Sequence, residues 1–288
     1  MNVVLLSDIH GNLVALEAAL QHCRNLYGSD VKIICLGDVV GYGPNPVECL
    51  RLLKEQDIEF VLGNHEAAVL NTDFLEVFKP IAAVSILWTK EQLESDQKGR
   101  WLDFLRSKNE LIRINFDGLN ILLTHASPQD PTWTYLNIKS PFADIEEAFE
   151  SMRDINIAFI GHTHEPLIFS RKIENLSEAE ISRQEDIEEG LVASEDISGV
   201  PDTVVIDIEQ IIPTHLREAL CLDKKQYIVN CGSVGLPRDS DIRACYVALD
   251  TEKKEIFYHR VEFDNNINVN LLREIPLYGS LLARHFSN

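Results

Sequence analysis

Five short apolar runs, each stopping at an aspartate, asparagine or histidine, constrain the fold of this chain more than any other feature. NVVLLSD (residues 2–8) stops at Asp8, with His10 two residues on, and KIICLGD (32–38) stops at Asp38. EFVLGN (59–64) stops at Asn64 and is followed by His65, LNILLTH (119–125) stops at His125, and NIAFIGHTH (156–164) ends in His162 and His164. Runs of this length, rich in Val, Ile and Leu, suit strands buried on both faces. Helix-compatible stretches separate them. Asn12 is placed to cap a helix through Val14, Leu16, Ala19 and Leu20, Pro46 opens a second to about Gln56, and helical character returns from about Ala82 to Arg106. This alternation predicts an α/β fold with a largely parallel inner sheet. In open α/β sheets ligands bind beyond the carboxyl ends of the strands, so the five ends are expected to converge on one crevice.

Further on, QYIVNCGS, ACYVALD and EIFYHR read as a second set of strands, more antiparallel in character. Residues 171–225 carry six Lys or Arg against fourteen Asp or Glu, a local balance of −8 within a net charge of −20. They read as a solvated acidic insert, and the stretch from Asn265 to Asn288 as a helical tail that docks on the core. With no internal repeat and no low-complexity linker, 1–288 is expected to form a single domain. The acidic balance argues against duplex nucleic acid and anionic membranes as partners. No apolar run approaches the roughly 20 residues of a membrane span, and no basic region precedes the first apolar residues, so a cytoplasmic location is expected. Six cysteines without CxxC spacing fit reduced thiols. Oligomeric state is not legible.

Two carboxylates, one amide and four histidines exceed what one tetrahedral ion accepts. They suit two ions. A natural division puts Asp8, His10 and His164 on one metal, Asn64, His125 and His162 on the other, and Asp38 between them. On a strand or its extension, His162 and His164 would face one side, each toward a different ion. Nitrogen and oxygen donors without thiolate suit manganese, iron, zinc or nickel; the donors do not choose among these, and manganese is the expectation. Two metals about 3.5–4 Å apart make a site that hydrolyses phosphate esters through a bridging hydroxide. His65, next to Asn64, is then a candidate general acid, or a donor to a phosphoryl oxygen. His22, His215, His259 and His285 fall outside the pattern and read as surface or packing residues.

Taken in order and spacing, SDIHGN, LGDVVGYG, LGNHE, THASP and GHTH resemble the signature of calcineurin-like metallophosphoesterases, and GYGPNP, NCGSVGLPRD and ACYVALD resemble its bacterial and archaeal small-phosphodiesterase branch. The resemblance implies a four-layer αββα sandwich with two mixed β-sheets and a dinuclear site. It implies the same ligands: Asp8, His10, Asp38 and His164 for one ion, and Asp38, Asn64, His125 and His162 for the other. Phosphatase and diadenosine tetraphosphatase branches read GDxxDRG where this chain has Gly41, Tyr42 and Gly43 after GDVV, so an orienting aspartate and a phosphate-gripping arginine are missing. Arg238 is the candidate replacement. Cys231 stands where relatives of this branch usually carry proline, a small structural adjustment. The resulting expectation is a hydrolase of a small phosphorylated compound, a nucleotide among the candidates, with a diester preferred. Protein phosphatase or dinucleoside polyphosphate hydrolase activity is the alternative. A second alternative is a protein-binding platform like the retromer scaffold subunit, against which His65 and the full ligand set argue. Trp133 and Tyr135 sit in a loop that could stack on a base or pack on its own core.

Overall fold

The computed structural model describes residues 1–172, 208–211, 217–220, 224–276 and 278–287. Its first strand, β1 (Asn2–Leu6), runs into helix α1 (Leu13–Tyr27), whose N-terminus is capped as expected: Ala15 N–H donates to Asn12 Oδ1 at 3.2 Å. Strand β2 (Lys32–Cys35), helix α2 (Pro46–Glu55) and the two-residue strand β3 (Glu59–Phe60) follow. The run expected to be a strand through Asn64 thus ends early, and helix α3 (Asn64–Leu70) begins at the asparagine itself. The helical segments expected over about 82–106 are two helices, α4 (Pro80–Ser95) and α5 (Arg100–Arg106). A 3-10 turn at Asp96–Gly99 separates them, and Gly99, at φ +78°, takes a left-handed conformation that breaks the run.

Strands β4 (Leu111–Phe116) and β5 (Leu119–Thr124), helix α6 (Phe142–Met152), and strands β6 (Ile157–Ile160) and β7 (Leu167–Lys172) continue the chain. Then come β8 (Ile208–Ile211), β9 (Arg217–Ala219), β10 (Lys225–Asn230), β11 (Ala244–Asp250) and β12 (Glu255–Val261). Two tail helices, Asn265–Glu274 and Gly279–His285, complete it. Part of the acidic segment expected to be an insert is therefore strand, and residues 173–207, with the tract ENLSEAEISRQEDIEEG, lie outside the described residues.

The strands form two six-stranded sheets, ordered β3-β2-β1-β11-β12-β9 and β4-β5-β6-β10-β7-β8. Both are mixed: β1 is parallel to β2 and antiparallel to β11, while β10 is parallel to β6 and antiparallel to β7. Side-chain alternation along each strand explains why the sheets stack. In β1, Val3 and Leu5 face the second sheet while Val4 and Leu6 face α1 and α2; in β6, Ile157 and Phe159 face the first sheet while Ala158 and Ile160 meet α6. A strand apolar on both sides needs cover on both sides, and the result is four layers, helix–sheet–sheet–helix. The tail helices add a smaller apolar cluster in which Val269, Leu272, Leu282, Ala283 and Phe286 meet Tyr42, Ala82 and Leu236. No helix among the described residues is long and apolar enough to cross a membrane.

Candidate active site

The parallel strands end at one edge of the sandwich, and every expected ligand lies just beyond such an end. Asp8 follows β1, Asp38 follows β2, Asn64 opens α3, His125 follows β5, and His162 and His164 follow β6. Because β10 runs parallel to β6, its NCGS loop reaches the same edge. The loops are tied together there. Ser233 Oγ donates to Asp8 O at 2.8 Å, Asn230 Nδ2 donates to Gly161 O at 2.6 Å, and Asn12 Nδ2 donates to Gly235 O at 2.8 Å. Cys231 N–H donates to Ile160 O at 2.9 Å, a bond no proline can make, and burial pushes the thiol pKa well up, so the position is structural.

Backbone strain is concentrated at this edge. Of ten non-glycine residues with positive φ among the described residues, Asp8, His10, Asp38, Tyr42, His162 and His164 surround the site, at φ between 50° and 67°. Left-handed backbone at non-glycine residues costs on the order of 1–3 kcal/mol each and persists where the surroundings enforce it. It also corrects the reason expected for the histidine pair. His162 and His164 do not share a side by strand alternation, because β6 stops at Ile160; two left-handed residues in the turn aim the rings instead.

Each aspartate has one oxygen engaged and one free to face the site. Asp8 Oδ2 accepts from Ser7 Oγ (2.6 Å) and His162 N–H (3.0 Å), while its buried Oδ1 has no hydrogen-bond partner. Asp38 Oδ1 accepts from His65 N–H at 2.9 Å, so that Oδ2 faces the site, 3.3 Å from His125 Nε2. Each of four histidines is fixed from behind by a carbonyl: His10 Nδ1 to Val40 O (3.2 Å), His125 Nδ1 to Leu36 O (2.8 Å), His162 Nε2 to Trp133 O (3.1 Å) and His164 Nδ1 to Leu236 O (2.5 Å). A carbonyl only accepts, so the other nitrogen of each neutral ring presents a lone pair to the site.

Those lone pairs form two nests. In the first, His164 Nε2 is 3.1 Å from His10 Nε2 and 3.2 Å from Asp8 Oδ1. In the second, His125 Nε2 is 3.1 Å from both Asn64 Oδ1 and His162 Nδ1. Asp38 Oδ2 stands between them, 3.6 Å from His10 Nε2 and 3.3 Å from His125 Nε2. Buried acceptors this close repel one another unless a cation sits among them, and separations of this size are those of ligands held about 2.0–2.2 Å from one ion. The donor set therefore fits divalent metal.

Electrostatics without a cation point the same way. Burial alone would raise the pKa of Asp38, but the charges of His125 and His65 hold it well below the carboxylate range; Asp8 is likewise held low, chiefly by His164. Burial would lower His125, yet Asp38 raises it to about 9, so a proton occupies this nitrogen when no metal does. Burial takes His162 down to about 3 and His65 down to about 4.

His65 Nε2 lies 4.0 Å from Asp38 Oδ2, and its Nδ1 is buried without a partner. An orienting aspartate is indeed missing there. Gly41 takes the space, and a Cβ on it would stand 2.1 Å from His65 Nδ1. Glu66 is the functional neighbour that sequence reasoning missed. Its buried carboxylate accepts from the N–H groups of Asp38 (2.8 Å), Val40 (2.9 Å) and Gly63 (2.8 Å), bracing the loops that carry Asp38 and Asn64. Glutamate at the third position of a helix is a capping signature, and the GNHE spacing carried that signal.

A cleft of about 930 Å³ opens over the nests. One wall is aromatic: Trp133 packs against Phe74 and Phe78 with ring centroids 5.0 and 5.9 Å away, and half-exposed Tyr135 stacks on His162 at 3.7 Å. Arg238 lines the cleft, and its sequence neighbours are paired elsewhere, Asp239 with Arg260 and Asp241 with Arg243. His285, expected to be a surface or packing residue, lines it too. His22 and His259 do pack, against Tyr246, and His215 lies outside the described residues.

The profile of calcineurin-like phosphoesterases matches residues 1–166, more than half of the sequence, and the chain belongs to that family of metal-binding hydrolases. Among its relatives, the protein MJ0912 of Methanocaldococcus jannaschii is 33% identical over 263 residues, 91% of this chain and 88% of that protein. The crystal structure of a metallophosphoesterase from Sphaerobacter thermophilus superposes with a TM-score of 0.69 at 29% identity, covering 100% of this chain and 98% of that one. The symmetrical bis(5'-nucleosyl)-tetraphosphatase of Chromohalobacter salexigens is 28% identical over 167 residues, 57% of this chain and 58% of that enzyme, so the chain spans just over half its length.

Proposed function

We propose that the protein is a metal-dependent hydrolase of small phosphate esters with a dinuclear centre, acting by preference on a phosphodiester and on a nucleotide among the candidate substrates. The observation that carries this reading is the position of Asp38 Oδ2, 3.6 Å from His10 Nε2 and 3.3 Å from His125 Nε2, one oxygen available to two nests. Asp8, His10, Asp38 and His164 would hold one ion, and Asp38, Asn64, His125 and His162 the other. Divalent metal bound there, manganese first among the candidates, supplies Lewis acidity toward a phosphoryl oxygen and acidifies bound water.

The remaining work falls to the chain's own side chains. His65 offers a ring N–H to a phosphoryl oxygen or to the departing oxygen, and Asn64 Nδ2 is free to donate alongside its ligating oxygen. Arg238, which lines the same cleft, offers a charged fork to the phosphate. Trp133, Phe74 and Tyr135 present flat apolar surface to a leaving group, which suits a base or another aromatic group. That wall, with no arginine after GDVV, favours a diester over a terminal dianion. The tetraphosphatase relative supports a second reading, cleavage of a dinucleoside polyphosphate, in which the same wall would receive one of the two bases.

Both readings are tested by turnover of bis(p-nitrophenyl) phosphate and p-nitrophenyl phosphate in metal-stripped protein supplied with manganese, nickel, zinc or magnesium, beside Asp38→Asn. Metal-dependent turnover favouring the diester and lost in the variant is expected. Preference for the monoester would remove the diester reading, and equal turnover by the variant would remove the site.

A further inference from the structure

The C-terminal helix reaches the cleft, although it lies well beyond the segment that matches the family profile. Leu282, Ala283 and Phe286 anchor it against Val269, Leu272 and Leu236, and the same cluster includes Tyr42 from the loop after Asp38. That docking brings the His285 ring over Tyr42, with centroids 5.2 Å apart and planes at 32°. Tyr42 in turn packs on His10 (4.9 Å) and His65 (4.7 Å). His285 therefore stands one ring away from the metal nests.

Two cations share its side of the cleft. Lys79 precedes α4 and Arg238 follows the β10 loop, and both line the cavity with His285. Their proximity is electrostatically visible: after burial, the charges of Arg238, His164 and Lys79 push the pKa of His285 down. In a chain of net charge −20, two cations and an imidazole gathered from three distant segments at the mouth of one cleft form a local exception. Asp38 is the one carboxylate lining that cleft among the described residues, and its Oδ2 is directed to the nests, beside His125 Nε2.

We propose that Lys79, Arg238 and His285 together bind the non-bridging oxygens of the substrate phosphate, the C-terminal helix supplying through His285 part of the hold that the missing arginine gives other branches. This rests on the phosphoesterase reading above and extends it to the tail. An imidazole serves whatever its charge, because it carries at least one N–H donor. Lys79 and Arg238 add charge-assisted bonds to the same oxygens.

The test uses the full chain loaded with manganese and reads two quantities, the affinity for inorganic phosphate by calorimetry and the KM and kcat for bis(p-nitrophenyl) phosphate. His285→Ala is expected to weaken phosphate binding by roughly tenfold or more, the usual effect of losing a hydrogen bond to a charged group. KM should rise with a smaller change in kcat, metal content should not change, and His285→Arg should restore affinity. Lys79→Ala, at an exposed position outside the tail cluster, is expected to act in the same direction and covers the case in which a tail variant folds poorly. Phosphate affinity and KM unchanged in both alanine variants of an active enzyme would overturn this inference and leave the phosphoesterase reading standing. Wild-type protein that neither turns over the diester nor binds phosphate would remove both.

Discussion

His10 Nε2 and His164 Nε2 face each other at 3.1 Å, while each ring's Nδ1 points to a backbone carbonyl. With both Nδ1 atoms donating, two lone pairs meet head-on in a fully buried place, which only a cation or an added proton relieves. Metal should therefore stabilise the fold markedly. At a free metal concentration of a hundred times Kd, linkage gives about 2.7 kcal/mol, equivalent to on the order of 5–10 °C for a chain of this size. Melting curves in chelator and after manganese is restored check this, and coincident curves would contradict the site.

Glu66 receives three backbone N–H groups from both loops that carry Asp38 and Asn64. In Glu66→Gln an amide NH₂ meets at least one of those donors. We expect a loss of about 2–4 kcal/mol in stability, the cost of leaving buried donors unpaired, and roughly ten- to a hundredfold weaker metal binding, as is usual for residues that orient ligands. Denaturant unfolding and metal titration of this variant give the two values.

Gly41 combines a left-handed backbone, φ +86°, with a side-chain position only 2.1 Å from His65 Nδ1. Gly41→Ala must displace that ring. Because a positioned proton donor contributes about 10²–10⁴ in rate, kcat should fall by at least about tenfold while metal content is preserved. A variant with wild-type kcat would show that His65 takes no part in turnover.

Outside the site, His259 Nε2 and Tyr27 OH share a hydrogen bond of 2.7 Å, and the His259 ring stacks on Tyr246. Burial, and then the charge of His22, lowers its pKa to about 4. The unfolded chain takes up a proton near pH 6.5 that the folded chain refuses until about pH 4, so this group removes stability progressively over that interval as pH falls. Glu66, raised to about 7 chiefly by burial, works in the opposite direction by binding a proton earlier in the folded state. Comparing variants separates the two. The melting temperature of metal-free wild-type protein should fall more steeply between pH 6.5 and 4 than that of His259→Gln, and equal slopes would contradict the assignment.

The sequence was readable where one residue type at a strand end implied one location. Asp8, Asp38, Asn64, His125, His162 and His164 all lie where apolar runs stop, and parallel strands force those stops to one edge. Asn12 capped its helix for the same local reason. What was not readable depends on tertiary packing. The turn holding His162 and His164 in left-handed conformations carries no glycine at either residue, so alternation was the natural but mistaken account. β7, β8 and β9 are short and border or fall within an acidic stretch whose charge obscures strand character. His285 gave no signal at all, because its place in the cleft comes from the docking of Leu282, Ala283 and Phe286 against a cluster built around Tyr42 and Leu236.

The joining of two metal-binding nests by Asp38 is tested by the number of divalent ions retained per chain after manganese reconstitution and removal of excess metal, in wild type, His125→Ala and Asp38→Asn. Two ions in wild type are expected, one in His125→Ala, whose first nest of Asp8, His10 and His164 is intact, and fewer than two in Asp38→Asn, together with loss of diester hydrolysis. A single ion in wild type, or two ions with full turnover in Asp38→Asn, would contradict the account.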